Sequence, residues 1–363
     1  MRVVVALGAR PNVVKIGPLI PEIGSAGIAV QVAFTGSRDL ARSAGASGAV
    51  TFFGIELPEP TWFLDVGSGT EATCTGKAML EFERLFSAER PDAVLVVGDV
   101  SATFAAAVSA AKAGIPVVHL DAGLRCGDLT VPEEINRVLI SRVAAMHLTP
   151  TEEALEVLED EGIEPERIHF VGSLLAESVL RHLDEVKKDA PEKDFGMRKG
   201  EYGLGSFHRP ENLADPERLR GILAGMAQSS VPFLVPDANG LRRAILHAGL
   251  EIPERVRIIH GVEYCTMLAL ERDAAVVLTD SGGVQEEACV IGTPCVTVRP
   301  VTEYMATVSA GANELVAPSV SAILAALDRG LFSRRKWVVP KRWDKAVSGR
   351  VVRALKRGII PLS

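Results

Sequence analysis

Between positions 98 and 137 the sequence supplies carboxylates at a spacing suited to moving protons. Asp99 closes the apolar run AVLVVGD (93–99) and Asp121 closes IPVVHLD (115–121). Glu133 and Glu134 then open the polar segment PEEINR (132–137), which ends in Arg137. Carboxylates brought together disfavour one another's ionisation, so a cluster is costly unless it transfers protons, holds a metal or pairs with cations. Taken singly each has a plainer reading, because an Asp after a buried strand often caps the following helix. A different chemistry is written at 279–288, TDSGGVQEEA, where Gly282 and Gly283 allow close approach of a ligand to the backbone and Ser281 adds a hydroxyl. Glu287, one helical turn beyond Gly283, is placed to grip ribose hydroxyls. The alternative is a glycine-rich connection leading into a capped helix. His208, in HRPEN (208–212), falls on this phosphate side, or else is a capping or core histidine. Near the start, the turn at 8–12 with Arg10 and Lys15 is a second potential anion site, weak as a motif and equally readable as a solvated loop.

The elements that must carry these groups follow from periodicity. Val-rich runs such as 93–97 and 115–120, apolar throughout, read as strands of a parallel sheet buried on both faces, joined here by an Ala-rich helix that stops at Gly114. Two parallel strands thus deliver Asp99 and Asp121 to the carboxyl edge, where open α/β sheets bind ligands. Strands at 2–7, 30–35, 145–149 and 168–171 alternate with helices at 71–86, 133–144, 152–161 and 174–188, and 36–66 reads as less regular, broken by Pro58 and Pro60. Thr151 is the expected N-cap of the helix at 152–161. The charged stretch 187–200 reads as a linker, followed by strands at 202–207, 232–235, 256–259 and 275–278 with helices between them. The expectation is two doubly wound α/β domains: 1–174 together with an amphipathic C-terminal helix within 343–363, carrying the acids, and 175–342, carrying the nucleotide loop. A cleft between two such sheet edges suits a nucleotide-linked substrate.

The 363 residues are 47% hydrophobic and 23% charged, with a net charge of −7, an ordinary balance for a globular protein that offers no basic face to nucleic acid. No apolar run reaches the ~20 residues of a membrane span, so the expected location is cytoplasmic. Five scattered cysteines, Cys74, Cys126, Cys265, Cys289 and Cys295, show no CxxC spacing, which argues for free thiols and against a cysteine-built zinc site.

Six segments in the same order, GARPNVVKIGPLI (8–20), GDVSAT (98–103), HLDAGLRCGD (119–128), PEEINR (132–137), HRPEN (208–212) and TDSGGVQEEA (279–288), resemble the UDP-N-acetylglucosamine 2-epimerases across almost the whole chain, and most closely their non-hydrolysing branch. The resemblance implies the GT-B fold, two Rossmann-like domains facing a central cleft, with UDP held mainly by the second. It implies reversible C2 epimerisation of a UDP-N-acetylhexosamine through anti elimination of UDP and a 2-acetamidoglucal intermediate, with no cofactor and no metal, in a homodimer. By matched position Asp99, Asp121 and Glu133 form the acid/base group and His208 lies near the departing phosphate. Arg10 and Lys15 meet the diphosphate from the first domain. Ser281, Gly282 and Gly283 hold it from the second, Glu287 takes the ribose, Arg137 orients the acids, and the turn around Tyr264 borders the uracil.

The chain departs from the family pattern at identifiable places. Asp121 stands where the family has Glu, the loop before PEEINR is about two residues shorter, Tyr304 replaces an Arg, Pro210 replaces the second Arg of HRREN, and Gly172-Ser173-Leu174 replaces Gly-Asn-Thr. Ser37-Arg38 occupies the place of a Gln-His pair at an allosteric UDP-GlcNAc site. Three other readings therefore stand beside the first: a hydrolysing epimerase releasing ManNAc and UDP, a GT-B enzyme acting on a different nucleotide sugar, and a catalytically silent nucleotide-sugar sensor.

Overall fold

The computed structural model describes residues 1–8, 10–37, 42–43, 49–52, 55–237, 240–332 and 337–359. The chain forms two compact units, Met1–Ser178 with Lys341–Ser363, and Val179–Pro340. In the first, strands β1 (Arg2–Leu7), β2 (Ala29–Phe34), β6 (Trp62–Phe63), β7 (Ala93–Val97), β8 (Val117–Leu120), β9 (Met146–Thr149) and β10 (Ile168–Phe170) make one parallel sheet in the order β10-β9-β8-β7-β1-β2-β6. Their Val-rich composition follows from burial on both faces: Val3 to Val5 and Val94 to Val97 have no solvent exposure. On one face helices α3 (Glu71–Glu89) and α4 (Ser101–Lys112) pack together, Phe82 stacking on Phe86 while the alanines 105–107 and Ala110 of α4 lie in the same core. On α15 (Val347–Arg357), which packs against α2 (Leu19–Ser25), Val347, Val351 and Leu355 are buried. The start of α15 is held by the buried Glu177, whose carboxylate accepts from Ser348 N (2.6 Å) and Ser348 Oγ (2.8 Å).

The segment 36–66 is more regular than its sequence indicates. Within it β3 (Arg42–Ser43), β4 (Ala49–Phe52) and β5 (Ile55–Pro58) form a separate antiparallel sheet, and β6 joins the edge of the main sheet beside β2. Strands of two to four residues are too short to establish an alternation, and the prolines that argued against strand lie at the end of β5 and just after it, where proline is tolerated.

The second unit repeats the plan with β11 (Gly203–Ser206), β12 (Phe233–Asp237), β13 (Val256–His260), β14 (Val276–Thr279), β15 (Cys295–Thr297) and β16 (Asn313–Leu315), all parallel, in the order β13-β12-β11-β14-β15-β16. In both units the chain builds outward from a central strand in one direction and then returns to build in the other. The direction reverses between β1 and β7 in the first and between β11 and β14 in the second. Such switch points open a crevice at the carboxyl ends of the strands, because the connections on either side leave toward opposite faces. Among the described residues no helix is long and apolar enough to cross a membrane.

Candidate functional site

The first switch point gathers the acids. Helix α1 (Arg10–Ile16) follows β1 and carries Lys15, whose Nζ pairs with Asp121 Oδ2 at 2.5 Å, both groups being about 5% exposed. Asp121 follows β8 with φ +61°, a left-handed conformation uncommon for a residue with a Cβ and one that accumulates at functional sites. Two residues on, Gly123 passes so close to helix α6 (Glu152–Asp160) that a Cβ there would lie 2.0 Å from the Ala154 carbonyl oxygen. Asp99, at the end of the adjacent strand β7, is a quarter exposed and ion-paired with Arg137, which comes from α5 (Pro132–Val143) and is itself buried. Asn136 of the same helix donates to the Asp99 carbonyl at 2.8 Å. Arg137 also pairs with Glu134 at 2.8 Å. Glu133 is half-buried in the first turn of α5. The side chain of Arg10 lies outside the described residues, as does Arg38.

Two residues here escaped the sequence reading. Glu134, present in the motif without a role, accepts from the N–H groups of Cys126 (3.1 Å) and Gly127 (2.8 Å) and so ties the 125–127 loop to α5. Burial works to raise its carboxyl, but those two N–H groups and then Arg137 outweigh it and hold the group below its ordinary value. His119 lies wholly buried in β8 and donates from Nε2 to the Gly98 carbonyl at 2.9 Å. Burial pushes its imidazole down to about 4, against that hydrogen bond, so it is neutral near pH 7. The shortened loop before α5 closes on itself: Asp128 Oδ1 accepts from Thr130 N (2.9 Å) and Thr130 Oγ1 (2.7 Å).

The second switch point is built for an anion. Helix α12 (Gly282–Ile291) begins directly after β14, and its N-cap Ser281 makes no side-chain capping bond, leaving the first-turn N–H groups and the positive end of the helix dipole without an internal partner. Gly282 is required by close packing, since a Cβ would lie 2.4 Å from the ring of Tyr304. The departure at position 304 therefore puts an aromatic ring against this helix start. Asp280, fully buried, spans the crevice: its carboxylate accepts from His208 N (2.9 Å), Arg209 N (3.2 Å) and Asn212 Nδ2 (3.0 Å), and lies 3.4 Å from His208 Nδ1. His208, 38% exposed, is held on the 208–212 loop by this carboxylate. Asp280 was legible as another strand-ending acid, by the rule that singled out Asp99 and Asp121. Pro210 is the first residue of α8 (Pro210–Leu213), a position where its missing N–H costs nothing.

Tyr264 opens α11 (Tyr264–Asp273) and is buried, so its side chain belongs to the interior of this unit. Its phenol is raised well above its ordinary value by burial and then by the carboxyls of Glu287 and Glu271. Nearby, His182, Glu185 and Cys265 bring one donor atom each within 4.8 Å of one another. Burial, then Glu185, Asp189 and Glu263, raise the Cys265 thiol, which opposes the thiolate a metal would need.

Two units, each a doubly wound parallel sheet with charged loops at its switch point, define a Rossmann-like α/β enzyme of the GT-B class. The family model for UDP-N-acetylglucosamine 2-epimerase matches residues 25–356. A UDP-N-acetylglucosamine 2-epimerase of Methanocaldococcus jannaschii is 34% identical over 370 residues, 99% of this chain and 100% of its own. A UDP-2,3-diacetamido-2,3-dideoxy-D-glucuronate 2-epimerase of Pseudomonas aeruginosa is 33% identical over 323 residues, 87% of this chain and 88% of its own. The crystal structure of the M. jannaschii UDP-GlcNAc 2-epimerase in complex with UDP-GlcNAc and UDP matches with a TM-score of 0.89 at 33% identity, covering 99% of this chain and 100% of that one. The chain belongs to the UDP-N-acetylglucosamine 2-epimerase family, a family of nucleotide-sugar isomerases, as its six segments led one to expect.

Proposed function

We propose that this chain interconverts UDP-GlcNAc and UDP-ManNAc by reversible elimination and re-addition of UDP. The observation that carries the reading is the pair Asp99 and Asp121, at the carboxyl ends of the adjacent strands β7 and β8, each matched to a buried cation. Inverting C2 requires proton removal on one face and delivery on the other, so more than one positioned acid/base group is needed. A C2 proton beside an acetamido nitrogen is only weakly acidic, and loss of the diphosphate must assist its removal. In the forward step the C2–H bond breaks, its electron pair becomes the C1=C2 double bond of a 2-acetamidoglucal, and the C1–O bond breaks with its electrons leaving on UDP. In the return step a proton adds to the other face of C2 and the diphosphate oxygen rejoins C1. Asp99, Asp121 and Glu133 act as the acid/base group, held by Arg137 and Lys15. His208, Ser281, Gly282 and Gly283 stabilise the departing diphosphate, Arg10 adds charge to it, and Glu287 accepts from the ribose hydroxyls. The homodimer implied by the family resemblance belongs to the same reading.

A second reading keeps the C2 chemistry and changes the sugar. It is favoured by the Pseudomonas aeruginosa relative, whose name specifies a diacetamido uronate and whose identity to this chain is almost that of the UDP-GlcNAc enzyme. Proton NMR of the purified protein with UDP-GlcNAc in D2O separates the cases. UDP-ManNAc carrying deuterium at C2 supports the proposal, whereas free ManNAc with UDP selects a hydrolysing epimerase. No turnover while UDP still binds overturns the assignment of UDP-GlcNAc and directs the same experiment to the diacetamido uronate.

A further inference from the structure

Glu271 lies in the last turn of α11 with no solvent exposure, and among the described residues neither of its carboxyl oxygens receives a hydrogen bond from an N–H or hydroxyl group. A buried carboxyl in that condition is costly and calls for an account. The polar group it meets is the carboxyl of Glu287, which arrives from α12, the helix packed against α11. The backbone holds the two together: Thr293, just past the end of α12, donates its hydroxyl to the Glu271 carbonyl at 2.8 Å. Tyr264, two turns earlier on α11, buries its hydroxyl beside the same two acids. Two carboxyl groups can share a hydrogen bond only when one of them carries a proton. Glu271 is the more deeply buried of the two, with no exposure against 7% for Glu287, so ionisation costs it more and the shared proton sits on Glu271. Burial first, and then the neighbouring Glu287, raise its carboxyl well above its ordinary value. The sequence offered no sign of this, because in ALERDAA a Glu beside Arg272 and Asp273 reads as part of a solvated helix face.

We propose that Glu271 is a positioning residue whose carboxyl donates a hydrogen bond to Glu287 and so fixes Glu287 to accept from the vicinal hydroxyls of a nucleotide ribose. The inference rests on the reading of Glu287 given above. A carboxylate on a flexible three-torsion side chain pays an ordering cost each time it meets a diol, and a fixed donor behind it removes that cost in advance. The donor is a carboxylic acid, so it adds no positive charge beside an anion site.

The test is isothermal titration calorimetry of the full chain with UDP and with 2′-deoxy-UDP. Glu271→Gln keeps a neutral donor and is expected to bind both nucleotides within about twofold of the native chain. Glu271→Leu removes the donor and is expected to weaken UDP on the order of tenfold while leaving 2′-deoxy-UDP nearly unchanged, so that the preference for the ribonucleotide collapses. A cooperative melting transition verifies that this variant keeps its fold. Retention of the native UDP preference in Glu271→Leu, or equal loss of both nucleotides, overturns the proposal. Glu287→Gln separates the two levels. If that variant keeps the preference, the ribose role of Glu287 falls; if it loses the preference while Glu271→Leu keeps it, only the positioning role falls.

Discussion

Asp99 and Asp121 end neighbouring strands in much the same way, and their surroundings make them different groups. Asp121 is buried against Lys15 in a left-handed backbone conformation, whereas Asp99 is a quarter exposed and pairs with Arg137. The more accessible of the two is the better placed for a proton that comes from substrate. Asp99→Asn keeps the size and a hydrogen-bonding group and removes the basic oxygen. It should lower kcat by about 10²–10⁴-fold, the ordinary contribution of a general base, while UDP affinity stays within about twofold. Deuterium incorporation at C2 is the readout, and exchange at the native rate in the Asp99→Asn variant would remove Asp99 from the acid/base group. A nucleotide sensor without turnover would be indifferent to the substitution, since binding UDP needs only the proposed phosphate and ribose groups, and Asp99 is not among them. These acids were legible as strand-ending carboxylates, and Asp280 was equally available by the same rule. What no rule on types and spacing supplied was which acid each cation takes.

At the scale of elements, α5 is the device that assembles the first site. It delivers Arg137 to Asp99, Asn136 to the Asp99 carbonyl and Glu134 to the 125–127 backbone. Glu134 is thus the pin between a helix and the loop after β8, and its removal leaves a buried guanidinium short of one partner and two N–H groups without an acceptor. Glu134→Ala should destabilise by about 3–5 kcal/mol, the cost of breaking a buried pair from one side. Thermal melting should fall on the order of 10 °C, with kcat reduced in whatever protein remains folded. Glu134→Gln, which keeps one acceptor, should lose clearly less. Equal melting of native and Glu134→Ala would show that α5 holds the loop by other means. The helix itself was readable from PEEINR and its apolar spacing. The pinning contact was not, because it joins residues through a loop whose path depends on the left-handed turn at Asp121 and the close pass at Gly123.

At the scale of the whole molecule, two buried histidines set a pH dependence. His119 and His147 are register partners on β8 and β9 and neither has solvent exposure. Burial lowers His119 from 6.5 to about 4; burial, and then the charges of His119, Arg167 and Arg125, lower His147 from 6.5 to about 3. With the folded value below the unfolded one, the unfolded chain takes up protons first as the pH falls. The stabilisation is therefore complete above 6.5 and is lost progressively between there and the folded values, after which these two groups add nothing further. Each contributes a slope of about 1.4 kcal/mol per pH unit in that window. The urea midpoint should fall between pH 7 and pH 5, and the double variant His119→Asn, His147→Leu should fall less steeply. An unchanged slope in that variant would assign acid sensitivity to the carboxylates alone.

The order of elements was determined by the sequence, because a strand buried on both faces must be apolar throughout and a crossover helix must return it to the same side. Strand-end acids, the Gly-Gly start of α12 and the capping Thr151, whose Oγ1 accepts from Ala154 N at 3.1 Å, were readable for the same local reason. The tertiary structure alone decided which strands lie at a switch point, since that depends on the direction in which the chain builds each sheet. It alone paired Lys15 with Asp121, Asp280 with the His208 loop, and Glu271 with Glu287, contacts between residues distant in sequence or on separate helices. Burial decided the rest: a carboxyl or an imidazole keeps its ordinary character in water and changes it only when packing removes the solvent around it.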